Sequence, residues 1–435
     1  MDKFAVQEYL TQGAVLAGQG KHAEALVYYD RAEKENPMDI DVYLSKGIAL
    51  ANLDKLNEAK AQFEKALKIN KTSGLAHFHL GSIAILQGDQ ALGFENYNGA
   101  IANGYDDAQL YYSIGLLHEE NGEIDMAIRN YSKAIMKDAL RPDVRVRKAR
   151  LLIQENHFPE ALQALDEMIL TNPDVFEGYH MKIMVLMQMN QIAKAEVVVN
   201  DALGLFPKDP GFAIDKVQIF LQQNRIDDAV ALLNSLENAE ETDDAVRRRI
   251  FMEKAQISTT KDNVEAAIME LEKAKKLSDK NGEFDAEVVF LLANCHLATE
   301  EYEKTLAEAR ELILKSNDDY YKQTARYFEP FAMKMLGRID EAKALYTEVI
   351  NEFRRQSLES PGNLDSYLLR TMCLRDLEQY EKALEILDYV ITLQPERGEP
   401  RVLRVSVLEA LSRTEEAAEE QKIVNSMLPE ELRKK

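Results

Sequence analysis

Tryptophan is absent from this 435-residue chain, and cysteine occurs only at Cys295 and Cys373. Two cysteines exclude a disulfide framework and a cysteine-built zinc cluster, and such usage fits a reducing compartment. No apolar run approaches the roughly 18 residues that a membrane span requires. Met1-Asp2-Lys3-Phe4 lacks the basic segment, apolar stretch and small-residue cleavage site of a secretory leader, so a cytoplasmic location is expected. Basic charge is also scarce: 53 Lys and Arg face 75 Asp and Glu, for a net charge of −22. A chain this acidic is not expected to bind nucleic acid or an anionic membrane, both of which need clustered Lys and Arg. The acidic excess instead solvates outer helix faces.

The groups that carry catalysis are missing as constellations. The seven histidines are scattered, and none is paired at i, i+4 on one helix to hold a metal. His77 and His79 point to different faces, and His118 falls on a buried face as a packed residue. Gly18-Gln19-Gly20-Lys21 has neither the preceding strand nor the glycine spacing of a phosphate loop, and it reads as a turn. No Ser-His-Asp or Cys-His set can be assembled, so the chain is not expected to be an enzyme and no cofactor or metal is expected.

What is present is a period. Gly13, Gly47, Gly81 and Gly115 recur at one constant interval, and the ladder continues without a gap through Ala149, Ile183 and Val217. A second ladder runs through Ala25, Ala59, Gly93, Ala127, Ala161, Ala195 and Ala229, and a third through Ala32, Ala66, Ala100, Ala134, Met168, Ala202 and Leu236. Small residues recurring at fixed steps require two helices to approach closely once per period. Between the helices, Gly20, Asp54, Gly88, Gly122, Asn156, Asn190 and Asn224 recur where a left-handed residue ends the first helix. Pro37, Pro173 and Pro207 stop the second.

These marks resemble the tetratricopeptide repeat (TPR), a helix-turn-helix unit of about 34 residues. Tyr9, Gly13, Leu16, Ala25, Tyr29, Ala32 and Pro37 carry its pattern in the first repeat, and Tyr43, Gly47, Leu50, Ala59, Phe63 and Ala66 in the second. Arg145 and Ala213 depart from it, standing where a bulky residue is usual. The resemblance implies an all-α, right-handed α-solenoid of about 12 helix-turn-helix units. Seven in-register units are expected over residues 6–243, three degenerate ones with short insertions over 244–356, and two more over 364–431. The later units are placed by Ala267, Thr305, Ala342, Ala383 and Ala417, whose spacings are 38, 37, 41 and 34. Turn formers at 357–363 and polar residues at 238–244 predict soft joints, and Pro330, inside a first helix, predicts a kink.

By the resemblance, first helices line a concave groove through steps two, five, six and nine and the next turn of each repeat. The clamp that grips carboxylate tails of chaperones is missing, since Leu10, Ala14, Ser45, Leu75 and His79 occupy its steps. Arg147 and Arg150 take groove steps in the fifth repeat, and Met181, Met184 and Met187 follow three residues apart in the sixth. Phe78, Tyr112, Val146, His180 and Ile214 form a stripe at the fifth step. Arginine forks grip carboxylates and methionine adapts to irregular partners, so the partner-binding candidates are Arg147, Arg150, Met181, Met184, Met187, Phe78, Tyr112 and His180. The alternative is that the arginines pair with acids such as Asp143 and Glu177 while the methionines fill an interhelix seam. The expected function is a non-catalytic interaction scaffold holding an acidic-apolar protein or peptide segment. Rival readings are a regulatory peptide sensor acting on a separate effector chain, and an accessory subunit of an enzyme or secretion assembly.

Overall fold

The computed structural model describes residues 3–239 and 242–427, and helices are the regular elements throughout them. Glu240, Glu241 and residues 428–431, parts of an expected joint and of the last expected repeat, lie outside the described residues. The chain divides into two compact units, Met1–Gln223 and Asn224–Lys435. The first contains α1 (Lys3–Gly18), α2 (His22–Glu35), α3 (Ile40–Asn52), α4 (Leu56–Ile69), α5 (Gly74–Leu86), α6 (Gln90–Ala102), α7 (Ala108–Glu120), α8 (Ile124–Lys137), α9 (Pro142–Gln154), α10 (Phe158–Thr171), α11 (Phe176–Gln188), α12 (Ile192–Leu205) and α13 (Pro210–Gln222). The second contains α14 (Ile226–Glu237), α15 (Asp244–Thr260), α16 (Val264–Lys280), α17 (Ala286–Ala298), α18 (Tyr302–Lys315), α19 (Asp319–Met335), α20 (Ile339–Glu359), α21 (Leu364–Asp376), α22 (Tyr380–Leu393), α23 (Glu399–Ala410) and α24 (Thr414–Met427).

Within a hairpin the two helices meet at a fixed pair of positions, one small and one large. A Cβ added to Gly13 would lie 2.3 Å from the Tyr29 ring, and those added to Gly47, Gly81 and Gly115 would lie 2.6, 2.6 and 2.5 Å from Phe63, Tyr97 and Tyr131. Each ring therefore occupies the volume that its glycine vacates. From the fifth hairpin the same two positions share the volume differently, as Ala149 with Leu165 and Ile183 with Val199, and each pair lies buried in one apolar cluster. The second unit keeps the exchange: Ala255 shares a cluster with Leu271, and Pro330 takes the small-residue step whose large counterpart is the fully buried Tyr346. Helix α19 continues through Pro330 from Asp319 to Met335. Arg145, at a step usual for a bulky residue, is buried along its stem while its guanidinium donates to the Ala139 carbonyl at 3.3 Å.

All seven residues expected to be left-handed have positive φ, between 55° and 83°. The same turn recurs in the second unit at Asp262, Glu300, Gly337, Glu378 and Ser412, each at one fixed distance before the second-helix alanine step. The following N–H closes the cap onto a carbonyl of the last helical turn, as from Lys55 to Leu50 (3.0 Å) and from Gln379 to Leu374 (2.9 Å). Glu300 and Glu378 hold this conformation without the relief that glycine or asparagine provides.

The slipped register is absorbed as additional helix. α15, α16 and α19 run 17 residues and α20 runs 21, against the 13 or 14 typical of their counterparts. Additions of three or four residues, and of about seven in α20, are close to whole turns and return the apolar stripe to its own face. The joint expected at 357–363 is corrected accordingly, since Ser357, Leu358 and Glu359 are helical and Ser357 is buried, its carbonyl accepting from the Tyr367 hydroxyl at 3.1 Å. Only Ser360–Asn363 connects α20 to α21.

Two substitutions test this packing by thermal or denaturant melting. Gly47→Ile and Phe63→Val should each cost about 2–4 kcal/mol, by overpacking and by a cavity respectively. The double variant, which copies the Ile183–Val199 pair, should recover about 1–3 kcal/mol of the sum; strict additivity would contradict volume exchange. Glu378→Asn should stabilise by about 0.5–1 kcal/mol through relief of left-handed strain, and a loss of stability there would refute the strain assignment.

Candidate functional site

Apart from Phe78 on α5, the candidate residues lie on α7, α9 and α11, and these first helices and α13 are each linked to the next through charged groups. Arg141, capping α9, grips Asp143 with two bonds of 2.9 and 2.7 Å, reaches Gln109 on α7 at 3.2 Å and lies 5.0 Å over the Tyr112 ring. Arg147 on α9 donates to both oxygens of Glu119 on α7 at 3.3 and 3.4 Å, and Glu119 also accepts from the Tyr131 hydroxyl. Arg150 meets Glu177 on α11 at 3.2 Å. His180 on α11 meets Asp215 on α13 through Nδ1 at 2.5 Å and stacks on Phe212 with ring centroids 3.9 Å apart.

The expected pairing of arginines with groove acids thus exists, with a different distribution. Glu177 pairs with Arg150, whereas Asp143 is taken by Arg141 and Arg147 turns to Glu119. The Arg147–Glu119, Arg150–Glu177 and His180–Asp215 links span 28, 27 and 35 residues. The signal was available in the sequence, because opposite charges lie about one period apart on successive first helices.

The apolar candidates separate by exposure. Phe78 is a correction: it is buried, packed on Tyr97 at 5.8 Å and Tyr105 at 5.3 Å, because Gly74 and Gly81 leave room for those two rings. Val146 is buried too, and Tyr112, His180 and Ile214 are half-buried. The methionines do not share one open face. Residues three apart advance about 300° around a helix, so the outer two of three turn into seams. Met181 packs towards Ala149, Leu165 and Val185, and Met187 towards Tyr179, Ile183 and Leu186. Met184 alone of the three is exposed, at 49 %, together with Phe176, also at 49 %, which the step rule omitted because it opens α11. Arg150, whose side chain is 64 % exposed, completes the accessible set.

A second region was missed altogether. A cavity opens between α15 and α17, lined by residues at the same groove steps counted back from Ala267 and Thr305. The insertions hide it in the sequence, because they break the regular register on which groove steps depend.

Burial pulls the His180 imidazole down, but the hydrogen bond and charge of Asp215, with Asp209 beyond, outweigh it and leave the group above its ordinary 6.5. A raised folded-state value means that the His180–Asp215 link contributes fully below about pH 6.5 and is lost as pH rises through the folded value. The stability gap between the parent and His180→Gln should therefore be of order 1 kcal/mol at pH 5.5 and should shrink towards pH 8.5. A gap that widens with pH in melting experiments would contradict this.

Comparison with known proteins agrees with the repeat geometry. A family model described as a tetratricopeptide repeat matches residues 119–182 and 186–248, and a second one of the same description matches residues 40–73. No curated protein matches the chain. Among solved structures, YrrB, described as a TPR protein with an unusual peptide-binding site, is 18 % identical with a TM-score of 0.37, covering 43 % of this chain and 97 % of its own. The C-terminal part of a TPR repeat-containing protein from Cytophaga hutchinsonii is 13 % identical with a TM-score of 0.44, covering 65 % and 99 %. A tetratricopeptide repeat protein from Parabacteroides merdae is 14 % identical with a TM-score of 0.34, covering 67 % and 98 %. With its regular small-residue ladder, its glycine-on-ring hairpins and these family matches, the chain belongs to the tetratricopeptide repeat proteins.

Proposed function

We propose that this chain is a non-catalytic protein–protein interaction scaffold, and that the surface built by α9 and α11 holds a partner segment in which acidic and apolar residues alternate. The observation that supports this reading most is the joint exposure of Arg150, Met184 and Phe176 on neighbouring first helices. Tetratricopeptide repeats generally mediate protein–protein contacts, and these three residues combine a cationic fork with adaptable apolar area. Glu177 offers no serious competition. An ion pair this exposed contributes little, so an incoming carboxylate exchanges for Glu177 at small cost. Arg147 is less available, because Glu119 is shared with Tyr131 and fixed from two sides.

Charge sets selectivity here. In a chain of net charge −22, an acidic segment is repelled over most of the surface and drawn to the arginine-bearing stretch of α9, which favours recognition more than raw affinity.

Selection of a displayed peptide library on the full chain should enrich segments with interleaved Asp or Glu and Leu, Ile or Phe. Arg150→Glu should slow association and flatten its salt dependence, whereas Met184→Ser and Phe176→Ser should mainly speed dissociation. Each change should cost about 1–2 kcal/mol in binding with melting unchanged. Selected segments that bind all three variants as tightly as the parent would place the interaction elsewhere.

A further inference from the structure

The cavity between α15 and α17 has a volume of about 440 Å³ and is closed below by Val264 and Leu271 of α16. This size lies within the range of ligand sites rather than packing defects. Met252 from α15 and Leu291 from α17 make its apolar walls, and the small side chains of Ala255 and Ala298 leave the space unfilled.

Its polar lining sets the carboxylates of Glu253 and Glu287 among Arg249, Gln256, Thr259 and Asn294. The Glu253 carboxylate is almost wholly buried, with a side chain only 4 % exposed, and accepts from Arg249 Nε at 2.9 Å; the Arg249 side chain is itself 58 % exposed. Glu287 stands exposed at the mouth. Asn294 gives one of its two side-chain N–H groups to the Phe290 carbonyl at 2.8 Å and keeps its side-chain oxygen as an acceptor. The Cys295 thiol is pushed up by burial and by Glu308, so it stays protonated and offers no anionic nucleophile. The lining thus brings two carboxylates, Glu253 and Glu287, to one cavity inside a chain of net charge −22. A carboxylate taken out of water gains from every further cationic donor that reaches it.

We propose that this cavity is a second binding subsite, and that it takes a basic side chain, Lys or Arg, presented by a partner segment with apolar neighbours. The aliphatic stem lies along Met252, Val264, Leu271 and Leu291, as long basic side chains do on apolar surfaces. The charged head meets Glu253 and Glu287 and donates to Asn294. The preference is opposite in sign to that at α9 and α11, so the two compact units of one chain select different chemistry.

Four fluorescein-labelled peptides, Ala-Leu-Phe-X-Leu-Ala-Gly-Ser with X as Arg, Lys, norleucine or Glu, test this by fluorescence anisotropy against the full chain. Measured on the Arg150→Glu variant, which removes the surface proposed to take acidic segments, the Arg and Lys peptides should bind at least about ten-fold tighter than norleucine, with Glu weakest, and added salt should erode the difference. Glu253→Gln, compared with the parent at temperatures where its own melting curve shows it folded, should reduce the basic preference to about three-fold or less. Ala298→Phe, at the exposed C-terminal end of α17, fills the end of the cavity away from Glu287 without touching a buried charge and should weaken the Arg, Lys and norleucine peptides. Arg150→Glu and Met184→Ser should leave the Arg, Lys and norleucine affinities unchanged, which separates this subsite from the surface of α9 and α11. No preference for Arg and Lys over norleucine, no binding of any peptide at about 1 mM, or full binding to Ala298→Phe would each overturn the proposal.

Discussion

The contact between a small residue on the first helix of each hairpin and its large counterpart on the second is the constraint on which the rest of this structure depends. In the first four hairpins it takes its extreme form, a glycine under an aromatic ring with no room for a Cβ. Because neither residue can change alone, the helix separation in each hairpin is fixed by their summed volume. That separation decides which side chains are drawn inward and which remain outside. Phe78 lies inside because Gly74 and Gly81 make space for the rings it packs against, and Met184 lies outside because Ile183 and Val199 have already filled the seam.

Stacking does the rest. Each first helix from α7 to α13 is tied to the next by groove-side charges, from Gln109 through Arg141, Arg147–Glu119, Arg150–Glu177 and His180–Asp215. Their value differs with burial. The Glu119 pair is anchored by Tyr131 and acts structurally, whereas the Arg150 pair is exposed and readily exchanged. On the function proposed, stability and recognition use the same chemistry on the same face, divided by how much water each pair sees.

Much of this was legible in the sequence, and for stated reasons. The glycine and alanine ladders and the left-handed positions are local requirements that only a few residue types meet, so Gly13 to Gly115 and Gly20 to Asn224 identified hairpins and turns directly. Even Glu300 and Glu378, which do not look like turn residues, adopt the same conformation because the step before the alanine demands it. The insertions were visible as slipped spacing, but their outcome was not: added residues can form a loop or a turn of helix, and only packing around Ser357 and Tyr367 decides between them. Exposure was least legible. Three methionines at three-residue spacing look alike in a string, and their fates diverge because a helix advances about 100° per residue. The α15–α17 cavity escaped because the insertions break the register by which groove steps are counted along the first unit.

The central claim is that recognition resides on the exposed faces of first helices, at α9 and α11 in the first unit. Hydrogen–deuterium exchange of the full chain, with and without a saturating acidic-apolar segment obtained by selection, tests it most directly. Protection should rise at the ends of α9 and α11 and at the turns flanking them, and exchange in α2, α4 and α6 should stay unchanged. Protection confined to second helices, or spread evenly over the chain, would contradict it.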